Sequence, residues 1–249
     1  MDEYTQLVHY VPVATTVLSA LFCAVLLRRY RYKRRGAHLV WWAFGIMCYG
    51  IGTALEGSIT LFGNSIALTK AWLIAGACLG GYPLAQGTVY LLLRRRTAHL
   101  LTAISVPFIV FVSILVLASP VVTDAMMPNK PGGEILGWHW VRLLTIPINS
   151  YAGLFLIGGA VLSAWRFSKH RETKHRAVGN VLIAAGALMP AIGGGMAKWG
   201  IVEGLYLGEF IGLILIWMGY RWCVFRPDRS REPSAASERR VAVDCGVQA

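Results

Sequence analysis

The feature that most constrains this chain is a series of seven apolar stretches, each near the length that crosses a bilayer. They run over about 5–27, 39–62, 71–93, 99–118, 141–165, 177–199 and 202–224. A helix needs roughly 20 apolar residues to span a hydrocarbon core about 30 Å thick. No segment alternates apolar and polar residues over strand length, which argues against a transmembrane barrel. The sequence therefore predicts an all-α, polytopic membrane protein: a seven-transmembrane-helix bundle over residues 1–225. Charged residues are only 14% of the chain, against about 25% in soluble domains. That balance excludes a disordered chain, a secreted disulfide scaffold and most soluble enzymes.

The formal charge of +12 raises the question of nucleic acid. The placement of the charge answers it, because basic residues beside apolar spans orient helices in a bilayer. Arg28, Arg29, Arg31, Lys33, Arg34 and Arg35 follow the first span, Arg94, Arg95 and Arg96 the third. Arg166, Lys169, Arg171, Lys174 and Arg176 follow the fifth; Arg221, Arg226, Arg229, Arg231, Arg239 and Arg240 close the chain. Only Lys70, Lys130, Arg142 and Lys198 fall on the other side. The rule then puts the N-terminus outside and the C-terminus in the cytoplasm. The expected partners are the bilayer itself and anionic lipid headgroups on the cytoplasmic face, with no nucleic acid. The expected location is a cell membrane, multi-pass, of the bacterial inner-membrane type. The polar residues 226–249 read as a disordered cytoplasmic tail. The longest outer loop, 119–140, ends in Trp138 and Trp140, which suit the headgroup layer.

Ionisable residues inside a span are expensive and are functional candidates by default. Glu56 lies six residues before the outer end of the second span and Glu209 seven after the outer end of the seventh. At 1.5 Å per residue both sit roughly 9–10 Å below the outer surface. Tyr49, Gly52, Thr53, Glu56 and Thr60 make a polar stripe, and Tyr206 lies one turn from Glu209. Arg142, Thr145 and Asn149 share a face of the fifth span. The outer half of the bundle is thus expected to gather His9, Glu56, Arg142, Asn149, Lys198 and Glu209 around a substrate or proton. Against this, Arg142 and Lys198 could snorkel to the interface, leaving the glutamates to hydrogen-bond neighbouring helices. Tyr82, Gln86 and Tyr90, with Asn180, form a second, inner set that reads as a pathway or as interhelical hydrogen bonding.

Gly204, Gly208 and Gly212 recur every four residues on the seventh span. Such a face lets another helix approach closely, inside the bundle or in a homo-oligomer. Short similarities between residues 24–35 and 160–171, and between 45–52 and 186–193, suggest a repeat. It would pair the first three spans with the last three, as in some transporters.

No cofactor is expected. The seventh span has no lysine for retinal, and His38 and His99 lie at the inner edges of their spans, which supports haem poorly. The five cysteines have no metal spacing, and the His-x-x-x-His pair of seven-helix zinc hydrolases is missing. An enzyme is not the favoured reading, although His9 with two carboxylates could bind a divalent metal. The reading favoured is a small permease or proton- or cation-coupled carrier that uses its intramembrane glutamates. A sensor or receptor with an outward ligand pocket, or a lipid-modifying enzyme, remains the alternative.

Overall fold

The computed structural model describes residue 8 and residues 10–128, 131–199 and 202–225. His9, the side chain of Lys198 and the tail 226–249 lie outside the described residues. Among those described, the chain is all-helical, with one isolated bridge between Val121 and Leu136 and no strand. Six helices are long and apolar enough to cross a membrane. They are α1 (Val11–Lys33), α2 (Ala37–Phe62), α5 (Arg95–Ala118), α6 (His139–Ser168), α7 (Lys174–Lys198) and α8 (Val202–Phe225).

The third expected span is the exception. It is built from α3 (Ile66–Trp72), a π-helical continuation Leu73–Cys78, a non-helical break at 79–81, and α4 (Tyr82–Leu92). Ser65 caps α3 by accepting the Leu68 N–H at 3.2 Å. Pro83 in the first turn of α4 has no N–H to continue the preceding helix. Gly80 approaches the Gly76 carbonyl so closely that a Cβ there would collide with it. A side chain at 80 is therefore excluded, and the chain turns where only glycine fits. The seventh span, by contrast, is one unbroken helix.

The basic segments also differ from the loops expected. α1 carries on through Lys33, so Arg28 to Lys33 are helical and the connection shrinks to Arg34–Gly36, where Arg34 and Gly36 take positive φ. Basic residues in the last turn of α1 suit the helix dipole. Those in the first turns of α5 and α7 oppose it, at about 0.3–1 kcal/mol each. A charge at the bilayer centre costs about 2.5–3.5 kcal/mol. Keeping the charges at one end of the bundle outweighs the dipole.

Burial is inverted relative to a soluble domain. Glu56, Gln86, Thr15 and Thr53 are buried, while Leu100, Ile104, Phe111 and Leu117 on α5 are 53–62% exposed. An apolar face of that extent is unsuited to water and natural in lipid. Inside, α7 and α8 meet backbone to backbone. A Cβ at Gly186 would lie 2.6 Å from the Gly212 carbonyl oxygen, and one at Gly208 2.8 Å from that of Met189. The glycine face of α8 is turned onto α7. At the end away from the cluster of basic residues, 119–128 and 131–138 fold back over the bundle, and Ile135 and Leu136 are buried against Leu73. Lys70 Nζ donates to the carbonyls of Leu117 and Ser119, each at 2.8 Å, closing the C-terminus of α5.

Candidate carboxyl-pair site

Glu56 stands on the buried face of α2, with Gly52 and Thr53 one turn before it. Gly52 lets α2 come within van der Waals reach of Gly76, so the π-helical stretch lies directly against α2. That contact brings Trp72 into position: its Nε1 donates to Glu56 Oε1 at 2.7 Å. From the other side α8 presents Glu209, whose carboxyl lies near enough to that of Glu56 for the two groups to interact. Tyr49 fixes the backbone of α8 here, donating its hydroxyl to the Glu209 carbonyl at 2.9 Å. Thr60 and Tyr206 share a hydrogen bond of 3.1 Å across the same interface, and Thr53 is tied to Thr16 of α1 at 3.0 Å.

Two neighbouring carboxyls can hydrogen-bond to each other only with a proton on at least one of them, since ionised carboxylates only accept. The Oε2 atoms of both glutamates are buried and receive no N–H or O–H of the protein among the described residues. A buried acceptor left empty costs about 1–3 kcal/mol, more when charged. A carboxyl proton between the two side chains is the donor that the site lacks. The titratable groups facing the pair are Tyr49 and Tyr206, with Glu203 near Tyr206. The arrangement can take up and release a proton.

The other residues expected in this cluster are placed elsewhere or lie outside the described residues. Arg142 sits in a 3₁₀ segment, His139–Leu144, at the start of α6. It is exposed and packs beside Gly133. Asn149 donates to the Ala77 carbonyl at 3.3 Å and the Thr145 carbonyl at 3.0 Å. It therefore serves a backbone oxygen next to the break after Cys78, not a carboxylate. His9 and the Lys198 side chain are outside the described residues.

The inner set does come together, between α4, α5 and α6. Gln86 Nε2 donates to Thr102 Oγ1 at 2.6 Å and to the Ala98 carbonyl at 3.3 Å. Its Oε1 accepts from the Tyr151 hydroxyl at 2.6 Å. Tyr82 pairs with Ser105 at 2.6 Å, and Tyr90 with His99 and Thr102 at 3.0 and 3.1 Å. Asn180 is apart from this network: it donates to the Arg176 carbonyl at 2.8 Å and lies 3.7 Å from the Cys223 sulfur. No family model, curated protein or solved structure matches the chain.

Sequence reasoning missed Trp72, Tyr151 and Thr102. Nothing in their spacing ties them to Glu56 or Gln86. They are polar tips on aromatic or small residues within spans, and buried indole N–H and phenol O–H groups generally find a partner. That rule was the available signal.

Proposed function

We propose that this protein is a small proton- or cation-coupled carrier whose exchange site is the Glu56–Glu209 pair. α3 and α4 together supply a seventh, interrupted crossing, with the basic ends of the helices in the cytoplasm and the N-terminus outside. The reading rests on one observation: two buried carboxyls from α2 and α8 are neighbours, and their Oε2 atoms have no donor among the described residues. A structural glutamate would be satisfied by its neighbours. This pair is complete only with a proton that can leave. Support comes also from the break between α3 and α4, since discontinuous helices border ion and substrate sites in many transporters.

Proteoliposomes with an entrapped pH-sensitive dye test it. The parent protein should carry protons in response to an imposed gradient. Glu56→Gln and Glu209→Gln, which replace the shared proton with an amide N–H, should each abolish that flux. They should reconstitute and melt like the parent. Flux equal to the parent's in both variants would remove the pair from function.

A further inference from the structure

A second feature lies at the opposite depth. An apolar cavity of about 590 Å³ opens at the basic end of the bundle, between α1, α2, α4, α6, α7 and α8. That volume is within the range of small-molecule sites. Arg29, Arg166, Arg176 and His38 ring its mouth, and no acidic residue is among the described residues that line it. Arg29 rests 5.7 Å from the ring centre of Tyr220, and Arg176 5.8 Å from that of Phe167, so both guanidinium groups are held at the opening by aromatic faces.

Beyond the mouth the walls are aliphatic and aromatic, with Trp42, Leu156, Ile183 and Ile216 lining the shaft and Ile46 and Leu84 near its far end. His38 and Ile46 are eight residues apart on α2, about 12 Å along the helix. That is close to one leaflet of a hydrocarbon core about 30 Å thick. The cavity is therefore a shaft one leaflet deep with a cationic rim.

Each simple ligand class leaves part of this site unused. A free inorganic anion would neutralise the arginines and leave the shaft empty. A neutral hydrocarbon would fill the shaft and leave the cationic rim unused. A cation would be repelled at the rim. Guanidinium matches phosphate through paired N–H···O bonds, and basic pockets between transmembrane helices suit anionic headgroups. We propose that the cavity is a binding site for an anionic phospholipid of the adjacent leaflet. One acyl chain occupies the shaft and the phosphate lies between Arg166 and Arg176 at the mouth. The proposal stands apart from the carboxyl pair, because neither glutamate lines the cavity.

The test uses the full-length protein purified in a neutral detergent. Melting temperature is followed against added phosphatidylglycerol, phosphatidylcholine or glycerol phosphate, with mass spectrometry of the intact complex to count retained lipid. Phosphatidylglycerol should raise the melting temperature of the parent and be retained as a discrete bound lipid. Phosphatidylcholine and glycerol phosphate should do neither at the same concentration. The double variant Arg166→Gln with Arg176→Gln should bind phosphatidylglycerol about 30-fold more weakly. Ile183→Trp, which fills the shaft, should lose lipid retention; Ser163→Leu is the second shaft variant if the first does not fold. Equal shifts with both phospholipids, equal binding of glycerol phosphate, or arginine and shaft variants that bind like the parent would each overturn the proposal. No proton flux enters these readouts, so their failure leaves the carboxyl-pair reading intact.

Discussion

The two polar clusters inside this bundle differ in one respect, and it separates packing from chemistry. Between α4, α5 and α6, donors and acceptors balance: the Gln86 amide gives to Thr102 and Ala98 and takes from Tyr151. Such a network is complete as it stands and holds three helices in register. Between α2 and α8 the balance fails, because the Oε2 atoms of Glu56 and Glu209 have no donor among the described residues. Burial alone does not tell the two apart, since Gln86 and Glu56 are equally enclosed. The unfilled valence does.

The largest expected effect attacks that contrast directly. Glu56→Gln should eliminate the protonated-carboxyl stretch of the pair in infrared difference spectra, and Glu209→Gln should do the same. The double Gln variant should add nothing further. Gln86→Glu, placed in the balanced network, should not create a band with the same response to pH. A surviving band in either single variant would mean that the proton is not shared.

Next in size is Gly208→Leu. A Cβ at that position would meet the main-chain oxygen of Met189 at 2.8 Å, which cannot move aside as a side-chain tip can. We expect destabilisation at the upper end of the 1–3 kcal/mol range, roughly, for overpacking. Because Gly208 precedes Glu209, displacement of α8 should also weaken the carboxyl contact and reduce proton flux. Unchanged melting in detergent would show that α7 and α8 are not held backbone to backbone.

Gln86→Leu should come third, at about 1–2 kcal/mol. It deletes the acceptor of the Tyr151 hydroxyl and the partner of Thr102, leaving a buried donor unfilled. Stability should fall while proton flux per folded molecule stays at the parent value. A loss of flux without a loss of stability would move the inner network from packing to pathway.

Depth along a helix was legible in the sequence, and rotation about its axis was only partly so. Residue counting put Glu56 and Glu209 at one level, because α2 and α8 are regular over those stretches. The same counting grouped Arg142 and Asn149 with the glutamates, whereas Asn149 donates to the Ala77 and Thr145 carbonyls and Arg142 packs beside Gly133. The break at 79–81 had its signals in Gly80, Gly81 and Pro83, but composition merged α3 and α4 into one apolar span. The extension of α1 through Lys33 was hidden for the opposite reason: hydropathy marks where lipid ends, not where hydrogen bonding ends.

The smallest expected effect is the sharpest control on the comparison. Tyr90→Phe removes a hydroxyl that bonds to His99 and Thr102 at the rim of the balanced network. His99 is exposed and can turn to solvent or headgroups. Thr102 keeps its own bond to the Ala98 carbonyl at 2.8 Å and still accepts from Gln86. The ring itself stays stacked on Trp41, with centroids 6.2 Å apart, since phenylalanine preserves that face. Nothing buried is orphaned, so only an ordinary interhelical hydrogen bond is lost, worth about 0.6 kcal/mol. For a chain of this size that is a drop of about 1–2 °C in melting temperature. If Tyr90→Phe instead costs as much as Gln86→Leu, the network does not tolerate the loss of a rim bond. Satisfaction of buried groups would then not be what distinguishes this cluster from the carboxyl pair.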